Sequence, residues 1–190
     1  MTSLEAHARL WPVYGVDDVA RLAPPAVVEI GFGMGEATAL MAAADPRPLL
    51  AIDVHPAGVA SLLRRLEAAD LSHVQVWEGD AIPVLQALPE GSVEEVRVFF
   101  PDPWPKARHA KRRLLRPSFG ELLAARLAPQ GFLHLATDHP AYVEHAAEAL
   151  QGWTLTVIER PDRRPVTGYE RRALTAGRPI TDVIARACLS

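Results

Sequence analysis

A chain of 190 residues with 49% hydrophobic side chains can build one sizeable core, and domains typically run to roughly 100–200 residues, so a single domain is expected. No uninterrupted apolar stretch reaches the roughly 18–20 residues of a membrane span, and Glu5, His7 and Arg9 break up the N-terminus too early for a secretory signal. The single cysteine, Cys188, excludes an internal disulfide and fits a reducing cytoplasm; seven histidines without metal-ligand spacing predict no metal.

The net charge of −3 hides a strong asymmetry. Residues 106–113 carry +5, residues 160–186 carry +4, and the rest of the chain carries −12. Phosphate contacts depend on nearby cations, because screening acts over roughly 8 Å at physiological salt, so local charge outweighs the total.

Residues 1–25 read as an N-terminal flank: a short helical stretch from Leu4 to Leu10, then Trp11 and Pro12, closed by Ala23-Pro24-Pro25. Ala26 to Ile30 is a continuous apolar strand carrying Glu29, and Gly31-Phe32-Gly33-Met34-Gly35 follows at once. A helix over 36–44 stops at Asp45-Pro46, and a second strand over 48–52 ends in Asp53. Helix 56–69 opens on a proline, whose missing donor is harmless in a first turn. A third strand at 74–77 leads to Glu78-Gly79-Asp80, a short helix to 82–88, and a fourth strand to 93–100. Pro117 starts a helix running to about Ala128; Gly131 to Ala136 is a fifth strand ending in Thr137-Asp138, and a helix covers 140–150. Residues 153–158 and 180–187 are β-rich and predict a closing hairpin, with an arginine-rich loop at 159–178 between them.

Alternating strands and helices at this spacing imply a doubly wound, mostly parallel α/β sheet, in which ligands bind outside the carboxyl ends of the strands. Glu29, Asp53, Asp80, Asp102 and Asp138 stand at five successive strand ends. One such acid is ordinarily a helix cap; five together predict a site that holds a cation and hydroxyl groups.

The most informative stretch runs from Phe99 to Arg113. Three prolines, Pro101, Pro103 and Pro105, stiffen the turn after the fourth strand and hold Asp102 between two of them. Lys106, Arg108, Lys111, Arg112 and Arg113 then follow with no acid among them, and the only two lysines in the chain are here. A carboxylate on a stiff turn beside a cationic strip points to a reacting site next to a polyanion.

A bulky ligand must approach this loop's backbone closely, which side chains at Gly31, Gly33 and Gly35 would prevent. A dinucleotide fingerprint needs glycine at 36, where this chain has Glu36, and an acid at a helix start opposes a pyrophosphate. A ligand with a ribose, a sulfonium and an amino group fits better. Asp53 suits the ribose hydroxyls, Glu29 the amino acid end and Asp80 the adenine end, which describes S-adenosyl-L-methionine.

At this point the chain resembles the bacterial tRNA (guanine-N7-)-methyltransferases. The resemblance rests on 29–35, on Ile52-Asp53-Val54-His55, and above all on Phe100-Pro101-Asp102-Pro103-Trp104-Pro105-Lys106 with Arg108-His109-Ala110-Lys111-Arg112-Arg113. Thr137-Asp138 and Thr167-Gly168-Tyr169-Glu170-Arg171-Arg172 complete it, so it spans nearly all of the chain from about 26 onwards. It implies the class I S-adenosylmethionine-dependent fold, a seven-stranded sheet with a C-terminal antiparallel hairpin, and methyl transfer to guanine N7 in tRNA, in the variable loop. It implies that Glu29, Gly31, Gly33, Asp53, Asp80 and Asp102 contact the cofactor, with Asp102 at the reaction centre. Lys106, Asp138, Thr167, Gly168, Tyr169 and Glu170 would hold the target nucleotide. Arg108, His109, Lys111, Arg112 and Arg113 would grip the RNA. The family usually has lysine where this chain has Gly168, and its N-terminal flank is longer.

Guanine N7 carries no proton, so its attack on a sulfonium methyl needs no general base; Asp102 and Asp138 are expected to accept hydrogen bonds from the N1–H and the exocyclic amine. Trp104 is a candidate either to stack on a flipped base or to pack in the interior, while Phe99, Phe100, Trp77 and Trp153 read as core. The nearest rival activity is methylation of an exocyclic amine, because Asp102-Pro103-Trp104 is similar to the Asp-Pro-Pro-aromatic motif of those enzymes. An RNA-binding protein with a vestigial cofactor pocket is the non-enzymatic alternative. The sequence leaves monomer and homodimer open.

Overall fold

The computed structural model describes residues 13–104 and 106–188, so the helical stretch expected at Leu4–Leu10 and the third proline of the turn, Pro105, lie outside the described residues. The strands in chain order are β1 (Val13–Tyr14), β2 (Val27–Ile30), β3 (Leu49–Asp53), β4 (Val74–Glu78), β5 (Val93–Phe99), β6 (Leu127–Thr137), β7 (Trp153–Ile158) and β8 (Thr181–Ala187). They form one sheet ordered β1-β4-β3-β2-β5-β6-β8-β7. Neighbours from β1 through β6 pair in parallel, and β8 is antiparallel to both β6 and β7. The doubly wound sheet and its C-terminal hairpin are as expected, but the sheet has eight strands among the described residues rather than seven. The extra one, β1, is two residues pairing with Val76 and Trp77 at the sheet edge, too short to carry a periodic signal.

The helices are α1 (Glu36–Ala44), α2 (Pro56–Ala69), α3 (Ala81–Ala87), α4 (Pro117–Arg126), α5 (Pro140–Ala149) and α6 (Gly168–Thr175). Pro56, Pro117 and Pro140 each sit in a first turn, where the fixed φ favours helix entry. The helix α6 corrects the expected loop at 159–178. Thr167 caps it, its Oγ1 accepting from Glu170 N at 3.4 Å, and the Thr-x-x-Glu spacing that signals this was present in the sequence.

Strands covered on both faces read as continuous apolar runs, because alternate residues enter different cores. Val28, Ile30, Leu50, Ile52, Val96, Val98, Leu133 and Leu135 point to one face and pack on α3, α4 and α5. Val27, Leu49, Ala51, Val74 and Val76 point to the other and meet α1 and α2 through Ala42, Val59, Leu62, Leu63 and Leu66. Truncating a fully buried leucine such as Leu62 to alanine costs about 2–5 kcal/mol.

Beyond β2 the second face changes character. Glu95 and Arg97 on β5, His134 on β6 and Asp182 on β8 are all buried there, joined to Arg163 and Arg164 from the segment after β7. This ionic layer replaces the second apolar core over the β5-β6-β8 third of the sheet. It was not foreseen from sequence, because each charge taken alone reads as a surface residue.

Candidate active site

The parallel strands deliver Glu29, Asp53, Asp80, Asp102 and Asp138 to one edge of the sheet, as the alternation of elements implies. The loop after β2 turns through left-handed backbone at Gly31 (φ 79°) and Gly33 (φ 57°), and a Cβ at either would meet nothing within 4 Å among the described residues. Their bareness therefore serves backbone shape and an open cavity. Gly35 differs: a Cβ there would lie 2.8 Å from Leu62, so it lets α1 pack on α2.

Asp53 locks this loop. Its Oδ2 accepts from Gly33 N at 2.7 Å and its Oδ1 from His55 N at 3.0 Å, which fixes the carboxylate at the cavity wall. Sequence reading missed Gly58 in α2, where a Cβ would stand 2.2 Å from Gly33 O. A glycine inside a helix costs about 1 kcal/mol against alanine, and that unexplained cost was its signal.

Glu29 is buried beside Thr38, whose hydroxyl donates to Oε1 at 3.1 Å, while Oε2 is buried without a hydrogen-bond partner among the described residues. Burial pushes its pKa up to about 7, against the opposing pull of Arg97. Asp80 caps α3, its Oδ1 accepting from Ile82 N at 2.9 Å, and the buried indole of Trp77 holds its carbonyl at 3.2 Å. Its cap role does not remove it from the cavity, whose wall it lines.

Asp102 is exposed on a turn flanked by two strained residues, Phe100 (φ 54°) and Trp104 (φ 39°). Left-handed backbone at bulky residues is uncommon and clusters at functional sites. Phe99 and Phe100 are only half-buried and line cavities, which corrects their reading as core; Trp77 is core as expected, and Trp153 packs half-buried against it. Trp104 carries the Arg112 guanidinium over its ring at 4.9 Å and meets the His109 ring edge-on at 5.6 Å.

Asp138 does not cap α5. Its carboxylate accepts from the Tyr169 hydroxyl at 3.3 Å and pairs with Arg178 at 3.2 Å. The Tyr169 ring lies 5.0 Å from that of Phe100, and burial together with the Asp138 charge raises the phenol pKa. Glu170, expected at the nucleotide, is instead buried on Arg164, at 2.5 and 3.1 Å, because its place on α6 faces the ionic layer. Gly168 N donates to Glu36 at 3.1 Å, so the position without a lysine ties α6 to α1. In the basic strip Lys106, Arg108, Lys111 and Arg112 are exposed and His109 is half-buried, whereas Arg113 turns inward and donates to the carbonyls of Pro103 and Trp104.

Two cavities open at this edge. One, of about 550 Å³, runs past Asp53, Asp80 and Asp102; the other, of about 440 Å³, lies between Glu29, Arg164 and α6. Gly31, Gly33, Phe99 and Phe100 line both, so the two meet at the glycine loop beside the Asp102 turn.

The model of a family described as putative methyltransferase matches residues 23–183. The tRNA (guanine-N(7)-)-methyltransferase of Nitrosospira multiformis is 44% identical, over 95% of this chain and 86% of its own. The protein of that name from Streptomyces coelicolor is 45% identical, over 96% of this chain and 74% of its own. Among solved structures, a precorrin-6y C5,15-methyltransferase from Geobacter metallireducens superposes with TM-score 0.60 at 15% identity, covering 97% of this chain and 87% of that one. An rRNA methylase from Streptococcus thermophilus gives 0.57 at 13% identity, covering 92% and 94%. Both likenesses concern the fold.

Proposed function

Since the chain belongs to the tRNA (guanine-N7-)-methyltransferase family and transfers a methyl group from S-adenosylmethionine to N7 of a guanine in tRNA, we propose an arrangement of its site and a target in the variable loop. The observation that carries the arrangement is the meeting of two cavities at Gly31, Gly33, Phe99 and Phe100, directly beside Asp102.

The residues fit the cofactor on their own chemistry. Glu29 Oε2, buried without a partner, wants a donor such as an ammonium group. Asp53 offers a fixed carboxylate to ribose hydroxyls, and Asp80 stands at the adenine end. Glu36 in the first turn of α1 opposes a pyrophosphate at the same loop. S-adenosylmethionine supplies an electrophilic methyl on a positively charged sulfur.

The chain's own groups then have one task, alignment. Guanine N7 has a free lone pair and no proton to lose, so no general base is needed, and reacting atoms must be held roughly 3–3.5 Å apart. Asp102, exposed on its stiff turn, accepts from the N1–H and exocyclic amine of the guanine and favours the charge that develops on the purine. Asp138 acts one step back, because Arg178 and Tyr169 occupy its carboxylate; it sets the Tyr169 ring against Phe100 at the second cavity. Lys106 reaches the target nucleotide, Arg108, Lys111 and Arg112 follow the RNA backbone, and Thr167 caps the helix that closes the second cavity.

Reaction with unmodified tRNA transcripts, then reduction and aniline scission at 7-methylguanosine, reads the modified position. Scission in the variable loop is expected; scission confined to another loop overturns that part of the proposal.

A further inference from the structure

The turn that carries Asp102 is held open by geometry that the backbone does not favour. Phe100 and Trp104 both lie in the left-handed region, and between them Pro101 and Pro103 fix their own φ. Such conformations persist only where the surroundings over-determine them. On the near side, Phe100 N donates to Ala136 O at 2.7 Å and ties the turn to β6. On the far side the tie is a side chain: Arg113 donates from Nε to Pro103 O at 3.0 Å and from Nη2 to Trp104 O at 3.1 Å. The planar fork of a guanidinium suits two adjacent acceptors, and an ammonium group does not replace it.

Arg113 belongs by sequence to the cationic strip, but its surroundings differ from its neighbours'. Lys111 and Arg112 are exposed; Arg113 is half-buried, two residues before the fully buried Leu115. The Leu115 carbonyl accepts from His145 Nε2 at 2.8 Å, which anchors the end of this segment to α5. The buried Tyr142 hydroxyl lies within reach of the charges of both Arg113 and Asp102. Arg113 therefore faces the underside of the turn.

We propose that Arg113 is a positioning residue that sets Asp102 at the junction of the two cavities, and that it does not contact RNA; this rests on the role given to Asp102 above. The strip accordingly divides into a phosphate-facing part, with Lys111 and Arg112, and an inward clamp.

The test compares Arg113→Met, Arg113→Lys, Arg112→Met and Asp102→Asn in steady-state methylation of tRNA, with tRNA binding measured between about 50 and 200 mM salt and a thermal melt of each variant. Arg113→Met is expected to lower kcat at least tenfold, keep KM for tRNA within twofold and leave the salt slope of binding unchanged. Arg113→Lys falls with it, since a point ammonium on a flexible stem lacks the rigid planar fork that meets the two carbonyls. Arg112→Met raises KM for tRNA and flattens the slope by about 0.7–0.9, the loss of one phosphate contact. A flattened slope in Arg113→Met, normal turnover in that variant, or full rescue by lysine overturns the inference. If Arg113→Met is unfolded at the assay temperature, the kcat of Arg113→Lys decides. Impaired Asp102→Asn beside normal Arg113→Met sinks the clamp alone; normal Asp102→Asn sinks the reading of Asp102 and the clamp with it.

Discussion

Arg164 and Glu170 pair at 2.5 Å with both side chains 2% exposed, and the same guanidinium grips Asp182 through Nε at 2.7 Å. One arginine thus ties α6, which walls the second cavity, to the start of β8, the inner strand of the C-terminal hairpin. Its carbon also stands 5.6 Å from the Phe100 ring, at the start of the Asp102 turn. Removing one partner from a buried ionic cluster leaves charge without compensation, at about 3–5 kcal/mol. Arg164→Ala is therefore expected to lower the melting temperature by about 10 °C, taking roughly 2–4 °C per kcal/mol for a chain of this size. A loss of two degrees or less in a thermal melt would contradict the account of the ionic layer.

The same layer sets a pH dependence. Burial pushes the Glu95 carboxyl up, but Arg97, with Arg163 and Arg47, more than reverses this and holds it at about 2, below its ordinary 4.5. The side-chain hydrogen bond of Arg47 likewise holds Asp45 at about 2. A folded pKa below the unfolded one contributes stability that is complete above the unfolded value and is lost as pH falls through the folded value. The stability difference between wild type and Glu95→Gln should then be constant from pH 7 to about 5 and shrink steadily towards pH 2. Denaturant titrations at intervals across that range measure it; a difference that grows on acidification has the wrong sign.

Glu29 is expected to behave in the opposite way. Its folded pKa, raised by burial to about 7, exceeds the ordinary 4.5, so the protonated form favours folding and that stability is lost as pH rises through 7. At pH 8 and without cofactor, Glu29→Gln should stabilise the protein by roughly 3 kcal/mol, at about 1.4 kcal/mol per pKa unit. The same substitution should weaken S-adenosylmethionine binding at least tenfold by calorimetry, since the carboxylate is held for a cation. Unchanged affinity would remove Glu29 from the cofactor site.

Gly58→Ala sets two effects against each other. Alanine gains about 1 kcal/mol in helix propensity, yet its Cβ would stand 2.2 Å from the Gly33 carbonyl, a backbone atom that moves only with the loop. The steric term wins, since inserted methyl groups in close contacts cost typically 1–3 kcal/mol. Net loss of stability and weaker cofactor binding are both expected. Stabilisation with normal binding would show that the loop shifts freely.

The sheet, its parallel order and the five acids at its edge were legible from sequence because they rest on periodicity and on residues at element ends. Two kinds of feature were not. Phe99 and Phe100 continue the apolar run of β5, so only the strain at Phe100 reveals that the chain has left the core and turned towards the cavities. Glu170 and Asp182, on a helix and a distant strand, share a partner in Arg164. No local pattern announces such a triad, whereas the cap at Thr167 was written in the sequence and passed over. Arg113 combines both lessons, a member of a charge run whose direction only the fold decides.

In the proposed arrangement Asp102 aligns the guanine without acting as a base. The most direct measurement incubates wild type and Asp102→Asn with methyl-labelled S-adenosylmethionine and unmodified tRNA transcripts across a range of pH, then digests the RNA and identifies the labelled nucleoside. Expected are 7-methylguanosine from the wild type, and turnover lower by about 10²-fold in the variant with a pH profile of the same shape, as for loss of one preorganised electrostatic contact. Label on an exocyclic amine, or a pH limb that is present in the wild type and absent from Asp102→Asn, would contradict that arrangement.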